Sequence, residues 1–83
     1  FPPVTPEAAL SEIAELVELI TDTDAALVQP DSAFVADLGV DSLSMVEILE
    51  GLEQNHGLVL TPAEVAGIKK VSHLLKLLVA RAE

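Results

Sequence analysis

The chain has 83 residues, with 14 acidic side chains against 4 basic ones, a net charge of −10, no cysteine and only 2% aromatic residues. That length makes one small domain. The charge argues against nucleic acid and anionic membranes, the lack of aromatics against base stacking, and the lack of thiols rules out disulfides and thiolate zinc sites.

No apolar run reaches the length of a membrane span and no secretory signal opens the chain, so with the missing disulfides a cytoplasmic setting is expected. The acidic surface favours basic protein partners, and it also serves simply to keep an aliphatic protein dissolved. Phe1-Pro2-Pro3 reads as an extended lead-in, so residues 1–4 are expected to be disordered or a remnant of processing or tagging, with a single domain over 5–83.

Thr5-Pro6 is a helix start, with Thr as N-cap and Pro in the first helical position. Ile13, Leu16, Val17 and Ile20 then recur at helical spacing, with Glu7, Glu12, Glu15 and Glu18 mostly opposite, and the helix is predicted to stop near Thr21-Asp22. The segment from Thr21 to Asp41 has no clear period. A connection that long in a compact domain needs apolar anchors of its own, and Phe34 and Leu38 are expected to supply them.

A second helix is predicted from Ser42 to about Asn55. Met45, Ile48, Leu49 and Leu52 share its core sector, while Leu43, Val46, Glu47 and Glu50 fall on a different sector and should face solvent. Gly57 is a plausible stop. Thr61-Pro62-Ala63-Glu64 is a capping box that opens a short helix to about Gly67. A last helix is predicted from Val71 or Ser72 to Ala82, with Val71, Leu74, Leu75, Leu78 and Val79 as its stripe. The expectation is an all-α fold: three long helices, one short one, and a long first connection.

The chemistry concentrates on Ser42, in the run DLGVDSLSMVEI. A nucleophilic serine needs a base beside it and a group that orients the base. His56 would lie roughly 21 Å along the same helix, and His73 is not tied to Ser42 by sequence. No catalytic residue is therefore predicted, and both histidines read as surface or boundary residues. Nor is a metal site: Asp22-Thr23-Asp24 begins like a calcium loop but has Ala26, Leu27 and Phe34 where the loop needs an oxygen ligand, Gly and Glu.

An ordinary serine at a helix start is an N-cap. A helix N-terminus also favours a phosphate, through its free N–H groups and the macrodipole. On an exposed turn after Leu38-Gly39, Ser42 is well placed to carry a phosphodiester, with a second protein supplying the chemistry.

Asp41-Ser42-Leu43, preceded by Asp37-Leu38-Gly39 and followed by Val46-Glu47, resembles the phosphopantetheine attachment motif of acyl carrier proteins. The resemblance extends along almost the whole chain, from the long first connection to the short third helix and the closing aliphatic helix. It implies a four-helix bundle of acyl-carrier type that is a carrier and not an enzyme. Ser42 would bear covalent 4′-phosphopantetheine, whose thiol holds acyl groups as thioesters. Asp41 matches the acidic residue that contacts the transferase and helps position its metal. Leu43, Val46 and Glu47 match the recognition face, joined by Glu50 from the helical wheel. Ile48, Leu49, Leu52, Leu60, Val65, Ile68 and Leu75 would line or border an apolar interior able to receive an acyl chain, and plain core packing accounts for the same seven equally well.

The implied partners are a phosphopantetheinyl transferase and the acyltransferase, ketosynthase and other chain-building enzymes of fatty-acid or polyketide synthesis, met through basic docking patches by a monomer. Three features depart from the family pattern: His56 stands where an aromatic is usual, Thr61-Pro62-Ala63-Glu64 is less acidic than the usual run, and Lys69-Lys70 adds positive charge. These bear on which partners are served. An acidic residue before the serine is less usual in peptidyl carriers, which leaves an aminoacyl or peptidyl carrier as one alternative. A cofactor-free helical interaction module is the other.

Overall fold

The structure, a computed structural model, describes residues 4–81. Helix α1 runs Pro6–Thr21, α2 Ser42–His56, α3 Pro62–Ala66 and α4 Val71–Arg81. Helix α1 packs against both α2 and α4, so it is the spine of the bundle.

Local chemistry sets the helix ends. The Thr5 hydroxyl accepts from the Ala8 N–H at 3.2 Å, and Pro6 takes the first position. Asp22 closes α1 in the left-handed region at φ 64°, and its N–H donates to the Glu18 carbonyl. Gly57 does the same for α2 at φ 68°, a conformation that costs glycine little. In α3 both halves of the capping box form: Glu64 N–H donates to the Thr61 hydroxyl, and Thr61 N–H to the Glu64 carboxylate.

The core is aliphatic around one aromatic. Ile13 and Val17 of α1 meet Ile48 and Leu52 of α2 and Val71, Leu74 and Leu78 of α4, all fully buried with Phe34 and Val40 from the long connection. The predicted stripes hold at their centres and shade off at their edges. Leu16, Ile20, Met45, Leu49 and Leu75 are partly buried against this core, and Val79 faces outward.

The long connection is pinned. Phe34 and Leu38 are buried as expected, and Val28 and Val40 are buried beside them. A single 3-10 turn, Ala25–Leu27, interrupts the segment, capped by the Asp24 carboxylate. Its backbone also caps α4: Val71 N–H donates to Ser32 O at 3.0 Å and Ser72 N–H to Pro30 O at 2.8 Å. Those two donors would otherwise lack acceptors at the start of a helix. Ala33 and Lys70 form an isolated antiparallel bridge at the same joint.

Several expectations shift. Helix α2 runs one residue further, to His56, because Gly57 can take the left-handed cap. The described part of α4 ends at Arg81; Ala82 and Glu83 lie outside the described residues, as do Phe1, Pro2 and Pro3. Val4, assigned to the lead-in, is half-buried against the core. Glu12 is not on a free outer face: it pairs with His56 and accepts from the Asn55 amide at 2.8 Å, tying α1 to the end of α2.

Candidate functional site

The turn before α2 is built to hold a backbone still. Leu38 and Val40 are both buried, and Gly39 between them turns the chain at φ 66°. Val40 N–H donates to Phe34 O at 2.8 Å, and Gly39 N–H to Val35 O at 3.2 Å. The Thr23 hydroxyl donates to Leu38 O at 3.1 Å, joining the end of α1 to this turn.

Asp41 follows in extended conformation and is the N-cap of α2, its carboxylate accepting from Ser44 N–H at 2.8 Å. Ser42 is therefore the first helical residue and not the cap. Asp41 takes that place because its extended backbone and short acidic side chain reach the third N–H of the helix. The bond from Ser44 holds the Asp41 carboxyl below the usual carboxylate range. Ser42 is left exposed, and its hydroxyl makes no hydrogen bond to the described residues.

Ser42 opens onto a groove of about 460 Å³. Phe34, Val35 and Val40 form the loop side, Met45 and Val46 the α2 side, and Val65, Ala66 and Ile68 the α3 side. Its rim carries two charged residues, Asp41 and Lys69. A second apolar groove of about 220 Å³ lies further along α2, between Leu49 and the α2–α3 connection at Leu58 to Leu60, with Glu50 and Glu53 at its edge. Val46 and Val65 border both.

The residues singled out from the sequence fall into distinct groups. Asp41, Ser42 and Leu43 sit together at the start of α2, and Leu43, Val46, Glu47 and Glu50 are all exposed along one side of it. Leu43 is 68% and Val46 50% exposed, a degree of exposure shared by Leu19, Leu27, Val35 and Val59 elsewhere on the surface. The seven interior candidates do not share one space. Val65 and Ile68 line the groove at Ser42, while Leu49, Leu60 and Val65 line the second groove. Ile48 and Leu52 are fully buried in the helix core, and Leu75 borders a separate depression with Pro6 and Val79. His56 and His73 both lie away from the groove at Ser42: His56 pairs with Glu12, and the His73 Nδ1 accepts from Lys69 and Lys70 N–H at 3.0 and 3.2 Å.

Four groove residues escaped the sequence reading. Val40 is an isolated valine between Gly39 and Asp41, and Val35 and Ala66 belong to no stripe. Lys69 stands out in the sequence only as added positive charge, with nothing to place it near Ser42. Only the burial of Val40 had a signal, its alternation with Leu38 around the glycine.

This arrangement offers an exposed hydroxyl on a fixed backbone, next to apolar space, with no histidine among the described residues lining the groove and the Asp41 carboxylate engaged by Ser44 N–H. It leaves Ser42 accessible from outside the bundle. The positive end of α2 and Lys69 are suited to an anionic linkage there. The described helices include none long and apolar enough to cross a membrane.

The profile of the phosphopantetheine attachment site matches residues 11–78. The meromycolate extension acyl carrier protein of Mycobacterium tuberculosis is 37% identical over 73 residues, which are 88% of this chain and 64% of that protein. The acyl carrier protein of Rhodococcus erythropolis is 35% identical over 71 residues, covering 86% and 78% of the two chains. That of Myxococcus xanthus is 38% identical over 65 residues, covering 78% and 82%. The chain thus matches less than two thirds of the length of the Mycobacterium tuberculosis relative and more of the other two.

Proposed function

This chain belongs to the acyl carrier family that bears a phosphopantetheine attachment site, and we propose from that premise that Ser42 holds the covalent 4′-phosphopantetheine and that the protein carries acyl chains between the enzymes that build them. The observation that supports this reading is the exposed Ser42 hydroxyl at the first position of α2, beside an apolar groove that neither histidine lines. Bound there, the group supplies a terminal thiol that this cysteine-free chain lacks, and the thiol holds acyl groups as thioesters.

The chain's own residues position and shelter. Asp41 fixes the first turn of α2, and the buried Leu38 and Val40 fix the turn before it, so Ser42 is presented to a transferase in one geometry. The first turn of the helix favours the negative charge that a phosphodiester brings. The grooves on either side of Val46 and Val65 give aliphatic chains a place out of water. Leu43, Val46, Glu47 and Glu50 form the docking side of α2, apolar in part and acidic in part, which suits enzymes with basic rims around an apolar contact.

In this reading the protein is a carrier and not a catalyst, a monomer working in the cytoplasm with a phosphopantetheinyl transferase, an acyltransferase and a ketosynthase. The name of the Mycobacterium tuberculosis relative, a meromycolate extension acyl carrier protein, favours acyl-chain extension over polyketide synthesis. The test is intact-mass spectrometry after incubation with coenzyme A, Mg²⁺ and a broad-specificity transferase. The expected result is one phosphopantetheine per chain, mapped to Ser42, and none on a Ser42→Ala variant whose circular dichroism and melting match the parent. No gain on folded parent protein with several transferases would overturn the reading in favour of a cofactor-free interaction module.

A further inference from the structure

The proposed linkage at Ser42 raises an electrostatic problem. A phosphodiester there would sit one residue from the Asp41 carboxylate, which its bond from Ser44 keeps ionised, on a chain whose net charge is already −10. Like charges this close repel, and the start of a helix offsets only part of that.

Among the described residues, Lys69 is the one cation lining the groove onto which Ser42 opens. It comes from the far side, beyond α3, and its backbone is held at both ends: Lys69 O accepts from Phe34 N–H at 3.1 Å, and Lys69 N–H donates to the His73 ring at 3.0 Å. Arg81 by contrast is committed to Glu64. Lys69 makes no ion pair with the described residues, although acidic side chains outnumber basic ones more than threefold. Its flexible stem and compact ammonium group suit a point contact with a phosphate.

We propose that Lys69 is a positioning residue for the prosthetic arm, pairing its ammonium group with the phosphodiester carried on Ser42 and so holding the root of the arm along the groove and not out in solvent. This rests on Ser42 being the attachment residue. No bond is made or broken by Lys69; it biases where the arm lies.

The test uses the full chain in its apo form and in its acyl-free holo form, so that no acyl carboxylate is present. Loading is first verified by intact mass. The side-chain ¹⁵Nζ and ¹³Cε resonances of the three lysines are then compared between the two forms, together with the ³¹P resonance of the holo form. The expected result is a shift at Lys69 clearly larger than at Lys70 and Lys76, fading as salt is added. A ³¹P shift should appear in Lys69→Gln and be largely restored in Lys69→Arg. A verified mass gain with Lys69 moving no more than Lys70 and Lys76, and ³¹P unchanged in Lys69→Gln, would overturn this inference and leave the attachment at Ser42 standing. Absence of any mass gain on the folded parent would overturn both.

Discussion

At the N-terminal end of α2 neighbouring anchors fix the backbone and leave the side chain of Ser42 alone, whereas at the C-terminal end the polar side chains reach across to another helix. The first end is held from beneath by Leu38 and Val40 and along its edge by the Asp41 cap. The second is held across the bundle, by Asn55 and His56 reaching Glu12 of α1. The attachment proposed at Ser42 calls for a rigid base and free side-chain space, and the buried anchors with the Asp41 cap supply both. The other end has no such demand, so its polar side chains can be spent on joining helices.

The sharpest way to break this contrast is at Phe34, which is buried under the N-terminal end and lines the groove at Ser42. Phe34→Ala is expected to cost about 3–5 kcal/mol, a large share of the about 5–15 kcal/mol available to a small domain. Urea denaturation would measure it. A loss below about 1 kcal/mol would mean that the long connection does not carry the base of the site.

Asp41→Ala comes next. It removes the acceptor for Ser44 N–H and should lower the urea midpoint by less than Phe34→Ala does, while slowing transfer to Ser42 more than stability alone explains. Asp41→Asn should keep most of the stability, because an amide oxygen still caps the helix. If Asp41→Asn loads as fast as the parent, the carboxylate matters only as a cap, and the transferase does not read its charge.

His56→Ala addresses the opposite end. Loss of a partly exposed polar contact with Glu12 is expected to cost about 1 kcal/mol or less, with the rate of loading at Ser42 unchanged. A loading defect comparable to that of Asp41→Ala would show that the two ends are not independent.

The smallest effect concerns the α3 wall that faces the N-terminal end. Arg81 and the Thr61 N–H hold the Glu64 carboxyl down to about 2, from a usual value of 4.5. The folded state therefore binds fewer protons than the unfolded state in this range, and stability rises with pH. The contribution is fully present above about 4.5 and is lost as pH falls toward about 2. Melting followed over that range should fall less steeply in Arg81→Gln than in the parent. Equal slopes would mean that the tie between α3 and α4 contributes nothing in solution.

Much of the fold was legible because the signals are local. Thr5-Pro6, Gly57 and the Thr61–Glu64 box each act within a few residues of themselves, and each forms as the sequence predicts. The exposed side of α2 was legible too, since helical spacing alone separates Leu43, Val46, Glu47 and Glu50 from Ile48 and Leu52. Which serine to examine followed from the run around it. Its exact place did not: the choice between Asp41 and Ser42 as cap turns on one residue's backbone dihedrals, and boundaries at that resolution are not carried by periodicity.

By itself, then, the sequence determined the helices, their outward and inward sides, and the residue on which the proposed function rests. All of these depend on spacings of a few residues or on a motif contiguous in the chain. Only the tertiary structure decided which apolar residues share a groove, separating Leu75 from Val65 and Ile68 and bringing Val40 and Phe34 beside Ser42. It alone made Glu12 a partner of His56 and brought Lys69 to the groove of Ser42. Those pairings join residues far apart in the chain, and they are set by how α1 lies between α2 and α4 and by carbonyls of the long connection capping α4.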